Sequence, residues 1–451
     1  MIKFDNLFEN INLVNSEELS FYTTFDEIHY PFENKLVLFY CSNDFVDINI
    51  LINILKLNCT LILQNNTTDI SSKVSIESQF SPDFIIDGNR KVIKKYKAEL
   101  TNKGFNYFKI DSLLEKNTLI DKNIKLLLST SGSTGIAKYV KLSKENIVSN
   151  AISITKYLPV VKSDNLPLML PVSYSYGFSL LTTHLLMGAS IYCSCPEIMS
   201  KNFFEHIDMH NYNSLHGVPF TYEFFYKMRI ENFNLSSIKY ITQAGGKLNE
   251  NLTRYFLDLS VKNGFNFFKM YGQTEATARI AFIPPDKLAS KINSIGIPIP
   301  GGELDIENGE LIYYGKNVFL GYAKNRDELF NSNKSYKLYT GDKGYKDDDG
   351  YFYLTGRKKN FMKLNGERID LDGINLFLEN EFDKVIFLIV NSNDKKLVVF
   401  YKSDQDLNSE IKSSLKTKNI RPQQLKMFNV PEFLININGK TDKSQMIKKY
   451  L

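Results

Sequence analysis

An α/β fold, with a large N-terminal domain of layered and mainly parallel sheets, is predicted by the alternation of short apolar runs with longer helical segments as far as Gly296. Beyond Gly296 the chain turns to glycine- and proline-punctuated strands, as a small β subdomain requires, and the last ninety or so residues read as a separate compact α+β unit. The runs 36–40, 61–63, 84–86, 126–128, 166–170, 190–192 and 238–241 are short and rich in Leu, Ile, Val, Phe and Tyr, which suits buried strands. Helical spacing of apolar residues places helices over 144–157, 178–187, 218–228 and 248–262. Strands at 310–314 and 351–354 build the β subdomain. A helix at 374–381, a strand pair at 384–390 and 396–401, and a helix at 408–418 build the last unit.

A chain of 451 residues exceeds what one hydrophobic core serves, so at least two domains are expected. Its 43% hydrophobic and 23% charged residues are those of an ordered globular protein. A net charge of +5 without arginine-rich clusters argues against nucleic-acid binding, although a mildly basic surface suits an acidic partner such as a carrier protein. Cys41, Cys59, Cys193 and Cys195 lack the spacing of a zinc or redox site and read as buried free thiols. The apolar stretch 36–63 is broken by Asp44, Asp47 and Lys56, so it does not span a membrane, and the N-terminus lacks the regions of a signal peptide. A cytoplasmic location is expected.

The most informative segment is 126–138, in which the strand Leu-Leu-Leu-Ser runs into Thr130-Ser131-Gly132-Ser133-Thr134-Gly135 and closes on Lys138. Gly132 and Gly135 let backbone N–H groups crowd an anion, the hydroxyls add donors, and Lys138 adds a mobile cation. It is not a Walker A loop, because two residues rather than four separate the glycines and Tyr139 follows the lysine. Four more blocks follow in order: Tyr271-Gly272-Gln273-Thr274-Glu275, Tyr339-Thr340-Gly341-Asp342, Gly356-Arg357-Lys358-Lys359 and Asn438-Gly439-Lys440. Taken singly, Glu275 also fits a helix-start carboxylate, Asp342 a turn residue, and Lys440 a solvated lysine in a lysine-rich tail.

In this order the five blocks resemble the adenylate-forming (ANL) superfamily, which includes acyl- and aryl-CoA synthetases, nonribosomal peptide synthetase adenylation domains and luciferases. The resemblance covers the chain from about Leu126 to its end. It implies an N-terminal core over 1–358 and a mobile C-terminal domain over 359–451. It also implies ATP-dependent activation of a small carboxylic acid to acyl-AMP, then thioester formation with CoA or with the phosphopantetheine of an acyl or peptidyl carrier protein.

By the same resemblance the loop 130–138 embraces the β- and γ-phosphates, Thr274 bonds the α-phosphate and Glu275 serves Mg²⁺. Tyr271, followed by Gly272, stacks on adenine beside Ala244-Gly245-Gly246, while Asp342 and Arg357 hold the ribose. Lys440 becomes the adenylating lysine, Lys359 the hinge, and Gly366 lines the tunnel for the thiol's arm. Several positions depart from the family pattern: Ala137 replaces a proline, Tyr139 a glycine and Gly373 a glutamate, and no Pro-x-Thr precedes Asn438.

Tyr174, Ser175, Tyr176, His216 and Gly217, with Phe178 and Val218, are expected around the acyl group, the tyrosines and Phe178 also fitting plain core positions. Amino-acid-activating relatives place an aspartate where this chain has Ser175, which cannot neutralise an α-ammonium. An uncharged acyl, hydroxyacyl or aryl acid is therefore preferred. The alternatives are an amino-acid-type adenylation enzyme feeding a carrier protein in a specialised pathway, and a non-catalytic nucleotide-binding relic.

Overall fold

The computed structural model describes residues 2–16, 21–22, 32–88, 97–100, 106–109, 119–130, 138–358, 361–364, 367–382, 385–391, 396–418, 420–436 and 441–451. The chain divides into two compact units, Met1–Glu303 with Tyr313–Leu338, and Leu304–Ile312 with Tyr339–Leu451.

The first unit is built on three sheets. The largest has eight strands in the order Tyr322–Ala323, Tyr139–Leu142, Leu126–Ser129, Thr60–Asn65, Leu36–Cys41, Phe84–Asp87, Asn106–Lys109 and Lys97–Leu100. Its middle is parallel, Leu36–Cys41 pairing with Thr60–Asn65 and Phe84–Asp87, and Thr60–Asn65 with Leu126–Ser129. The outer strands run antiparallel. Every residue of Leu36–Cys41 is buried, so the sheet is covered on both faces there and the strand reads as an unbroken apolar run. In the second sheet Ser214–Gly217, Tyr240–Gln243 and Asn266–Tyr271 are parallel, with Ala281–Ile283 and Ile297–Pro298 antiparallel at one edge. The third aligns Asn165–Pro167, Ser190–Cys193 and Asn12–Asn15 in parallel, with Phe21–Tyr22 antiparallel.

Two elements differ from the sequence reading. The strand expected over 166–170 stops at Pro167: the Leu168 N–H still donates to the Tyr192 carbonyl at 3.0 Å, but the side-chain amide of Asn43 takes the carbonyls of Leu168 and Leu170, each at 2.8 Å. The helix expected from 178 begins at Ser175. Gly177 permits this: a Cβ there would lie 2.2 Å from the Pro171 carbonyl oxygen, so only glycine lets the first turn pack on that backbone. The helix ends at Gly188, whose φ of 67° supplies the left-handed cap. The helices Lys144–Thr155, Pro219–Lys227 and Glu250–Asn263 lie where expected, the last capped by Asn249 accepting from the Leu252 N–H.

The second unit carries most of a four-stranded sheet ordered Gly302–Glu307, Glu310–Gly315, Lys337–Lys346 and Phe352–Arg357. Beyond it come the hairpin Phe361–Leu364 with Glu367–Asp370, the helix Leu371–Glu381, and the antiparallel pair Ile386–Asn391 and Leu397–Lys402. A third strand, Leu425–Asn429, which the sequence reading omits, joins Leu397–Lys402 in parallel. Leu378, Leu397, Val399, Ile411 and Leu415 are fully buried at the centre of this unit's own core. Among the described residues all four cysteines are free thiols, Cys195 being half-buried, and no helix is long and apolar enough to cross a membrane.

Candidate active site

The segment expected to wrap phosphates leaves the large sheet after Ser129 and returns to it at Tyr139. Ser129 is opposite Tyr139 in the antiparallel register, and the Thr130 N–H and hydroxyl both donate to the Lys138 carbonyl, at 3.0 and 3.2 Å. The loop residues Ser131, Gly132, Ser133, Thr134, Gly135 and Ala137 lie outside the described residues. Tyr139 is buried, its hydroxyl accepting from Gln64 Nε2 at 3.0 Å, so the strand anchors the loop's far end in the core. Lys138 is exposed, with Nζ 5.6 Å from the centre of the Tyr322 ring.

Tyr271 ends the strand Asn266–Tyr271, and the chain turns sharply through Gly272 into the short 3₁₀ turn Thr274–Ala276. A Cβ on Gly272 would lie 1.7 Å from the Ala278 carbonyl oxygen, so no other residue fits. Thr277 and Ala278 follow with φ of 54° and 106°, left-handed conformations that side chains with a Cβ rarely adopt. Asn317 holds this strained turn. Its amide donates to the Ala276 and Arg279 carbonyls at 2.7 and 2.8 Å, and its own carbonyl accepts the Thr277 hydroxyl at 2.7 Å. Tyr313 in turn donates to Asn317 Oδ1 at 2.8 Å.

The turn fixes Thr274 and Glu275. The Tyr322 hydroxyl donates to Glu275 Oε1 at 2.8 Å, and the Phe319 N–H donates to the Glu275 carbonyl at 2.9 Å. Burial, then the neighbouring Glu275 carboxylate, raises the Tyr322 pKa, so the phenol stays a donor. One tyrosine therefore has the loop's closing cation over its ring and the turn's carboxylate on its hydroxyl. The Thr274 and Ser175 hydroxyl oxygens lie 3.2 Å apart, which ties the turn to the start of the helix Ser175–Met187. Gln273 Nε2 donates to the Tyr271 hydroxyl at 3.2 Å.

The residues expected around the acyl group gather in the same unit. Gly245, with φ of 84°, packs against Tyr174, since a Cβ there would lie 2.7 Å from the Tyr174 hydroxyl. Gly246 lies against Pro219 and Gly217 against Thr221, and Gln243 Nε2 holds the Ala244–Gly246 turn by donating to both the Ala244 and Gly246 carbonyls. Tyr176 is buried, its hydroxyl donating to the Thr242 carbonyl at 3.0 Å and lying 2.6 Å from the Thr242 hydroxyl. His216 is fully buried between the Ser214 and Thr242 hydroxyls, at 2.8 and 2.6 Å. Burial, then His184 and Arg279, push its pKa well below the usual value, so it is neutral. Arg279, which sequence reasoning missed, places its guanidinium 4.1 Å over the Tyr176 ring.

In the second unit Asp342 faces Arg357 across the strands Lys337–Lys346 and Phe352–Arg357, with Arg357 Nε 3.1 Å from Asp342 Oδ1. Asp342 is buried while Arg357 is exposed, so the pair contributes little to stability and the guanidinium is at hand for a ligand. Gly341, with φ of 74°, makes the turn before it, its N–H donating to Glu310 Oε1, whose other oxygen pairs with Lys358 at 2.7 Å. Lys359, Gly366 and Lys440 lie outside the described residues.

A family profile described as AMP-binding enzyme matches residues 61–323, a span that includes the loop, the Tyr271–Glu275 block and Tyr322. The chain belongs to this family, and with it to the adenylate-forming superfamily that its motifs resemble. Among curated relatives, a probable 4-coumarate–CoA ligase 2 of Dictyostelium discoideum is 28% identical over 306 residues, 62% of this chain and 52% of the relative. A 2-succinylbenzoate–CoA ligase of Oceanobacillus iheyensis is 26% identical over 313 residues, 63% of this chain and 62% of the relative. The chain thus spans about half the length of the curated relatives it matches. Among solved structures, the O-succinylbenzoate coenzyme A synthetase of Bacillus subtilis in complex with AMP superimposes with a TM-score of 0.74 at 19% identity, over 98% of this chain and 96% of that one. NpsA of Klebsiella oxytoca, in complex with 3-hydroxyanthranilyl-AMSN, gives 0.74 at 18% identity over 99% of each chain. These likenesses establish the fold, that of the ANL enzymes.

Proposed function

We propose that this chain activates a small carboxylic acid with ATP and passes the acyl group to a thiol. An oxygen of the substrate carboxylate attacks the α-phosphorus, the bond to the β-phosphate oxygen breaks, and pyrophosphate leaves with that electron pair. The thiol of CoA, or of a carrier protein's phosphopantetheine, then attacks the acyl carbon and AMP departs. The observation that best supports this reading is the Tyr322 arrangement, with Lys138 over its ring and Glu275 on its hydroxyl at 2.8 Å. A phosphate-loop cation and a metal-type carboxylate are then held on one side chain, beside the Thr274 hydroxyl, as charge neutralisation on a triphosphate requires.

The carboxylate of Glu275, on a turn locked by Asn317, is an oxygen donor of the kind that suits Mg²⁺, which would neutralise phosphate charge there. In this reading Thr130, Ser131, Gly132, Ser133, Thr134, Gly135 and Lys138 wrap the β- and γ-phosphates, and Thr274 donates to the α-phosphate. Tyr271 and Gly272, with Ala244, Gly245 and Gly246, bound the adenine. Asp342 accepts the ribose hydroxyls and Arg357 donates to the sugar. Lys440, on a mobile domain over 359–451 hinged at Lys359, bridges carboxylate and α-phosphate, and Gly366 serves the second half-reaction. Tyr174, Ser175, Tyr176, His216 and Gly217 surround the acyl group.

Ser175 disfavours the amino-acid alternative, since a buried ammonium without a counter-charge costs several kcal/mol. In ATP–pyrophosphate exchange, neutral acids should be used at least ~100-fold better than their 2-amino analogues, roughly 2.7 kcal/mol. A preference for the amino acid would overturn this placement of Ser175. Exchange with no acid of any kind would favour the nucleotide-binding relic.

A further inference from the structure

Arg279 is only 1% exposed and is the largest fully buried side chain among the described residues. Its Nε and Nη2 are sealed from solvent and have no hydrogen-bond partner among the described residues. No carboxylate lies within ion-pair distance of it among those residues. Among the described residues the titratable groups interacting with it are neutral: the phenols of Tyr157, Tyr174 and Tyr176, whose pKa values burial raises, and His216, which burial keeps uncharged. The Tyr157 phenol lies beside the guanidinium, its own hydroxyl donating to Met270 Sδ at 3.3 Å, and Tyr176 lies under the guanidinium face at 4.1 Å. An ionised group buried without a counter-charge is among the costliest arrangements in a protein core.

The geometry of the unpaired edge is specific. Stacking on Tyr176 uses the face of the guanidinium, whereas Nε and Nη2 lie along one edge, the edge on which a carboxylate is bound side-on through two parallel hydrogen bonds. Tyr174, Tyr176 and His216, beside this group, are the residues read above as the acyl pocket. A bidentate ion pair with the reacting carboxylate would tie up the lone pairs that must attack phosphorus, so the edge is better matched to an oxyanion elsewhere on the substrate. We infer that Arg279 is a specificity-determining residue whose free edge pairs with a second anionic oxygen group on the acid, a dicarboxylic acid being the simplest such substrate. The same charge would repel an α-ammonium, in line with Ser175, and it favours an anionic acyl group over the uncharged one expected from the sequence.

This inference rests on the acid-activation reading, and the test separates the two. Pyrophosphate exchange is measured with matched pairs: butanoate and succinate, pentanoate and glutarate, benzoate and isophthalate. In the wild type at least one diacid should exceed its monoacid in kcat/KM by about 30-fold or more, as for sites built to pair a polar group. Arg279→Met should bring that ratio to near unity, and Arg279→Lys should retain part of it, because an ammonium lacks the fork. In parallel, thermal unfolding of the wild type with a non-hydrolysable ATP analogue should shift upward with the favoured diacid and not with its monoacid. This second measurement stands even where Arg279→Met does not fold. Monoacids used as well as every diacid, or a ratio unchanged in Arg279→Met, would overturn the role of Arg279 and leave acid activation standing. Exchange with none of the acids would overturn acid activation, and the diacid-specific thermal shift, present or absent, would then decide Arg279 alone.

Discussion

Replacing Tyr322 by Phe isolates one hydroxyl. The ring that Lys138 overlies at 5.6 Å is kept, as is its edge contact with Phe319 at 4.9 Å, while the 2.8 Å hydrogen bond to Glu275 Oε1 is lost. A hydrogen bond to a charged acceptor contributes about 1.5–3 kcal/mol. Tyr322 is 42% exposed, so water replaces much of that interaction and fold stability should move by less than about 1 kcal/mol. Orientation of the carboxylate has no such substitute. Losing a partner that orients a metal ligand typically costs about 10–100-fold in metal affinity, and the exposure of this pair puts it near 10-fold, or about 1.4 kcal/mol. The assay is pyrophosphate exchange titrated with magnesium at fixed ATP, beside a chemical denaturation curve. A half-saturating magnesium concentration raised about tenfold with an unchanged unfolding midpoint is expected. The same magnesium curve as the wild type would refute the positioning role of Tyr322.

Three further outcomes are expected. Gly272→Ala should destabilise the chain by about 3 kcal/mol or more and abolish nucleotide-dependent stabilisation, because the new Cβ meets a backbone carbonyl oxygen that cannot move aside; a wild-type unfolding midpoint would contradict the turn described here. Lys125 is buried, donating to the carbonyls of Ile54, Leu57 and Cys59, and burial lowers its pKa from 10.5 to about 8. The unfolded chain therefore holds an extra proton between those values, so this group's contribution to stability rises with pH from about 8 to 10.5 and is flat below. Urea unfolding at pH 7, 8 and 9 should show the wild type gaining on Lys125→Met by up to about 1.4 kcal/mol per unit only above pH 8; a constant gap would contradict the assignment. Lys440→Ala should cut acyl-AMP formation by several orders of magnitude and largely spare thioester formation from supplied acyl-AMP, and an equal loss in both half-reactions with the fold intact would contradict two alternating conformations.

Much of the fold was legible because its signals are contiguous. The run 36–40 reads as a strand from its own five residues, all of them buried, and the blocks at 271–275 and 339–342 each lie within a few positions. What escaped depends on contacts distant in sequence. Asn317 and the Ala276 carbonyl are 41 positions apart, and Tyr322 and Glu275 are 47 apart, so no local pattern joins them. Thr277 and Ala278 carry no preference for the left-handed conformations they adopt, whereas a glycine there would have signalled the turn. The apolar run 166–170 reads as longer than its strand because the claim of Asn43 on two of its carbonyls comes from another part of the chain. Arg279 did leave a signal: it is the one charge in Ala276–Ile283, a segment otherwise of small and apolar residues.

The central claim, attack of a carboxylate oxygen on the α-phosphorus, is tested most directly by the fate of that oxygen. An acid that supports exchange is supplied with both carboxylate oxygens labelled with ¹⁸O, together with ATP and a thiol acceptor, and the products are weighed by mass spectrometry. One labelled oxygen should appear in AMP and none in pyrophosphate. Label in pyrophosphate or inorganic phosphate, or AMP released without label, would contradict the account.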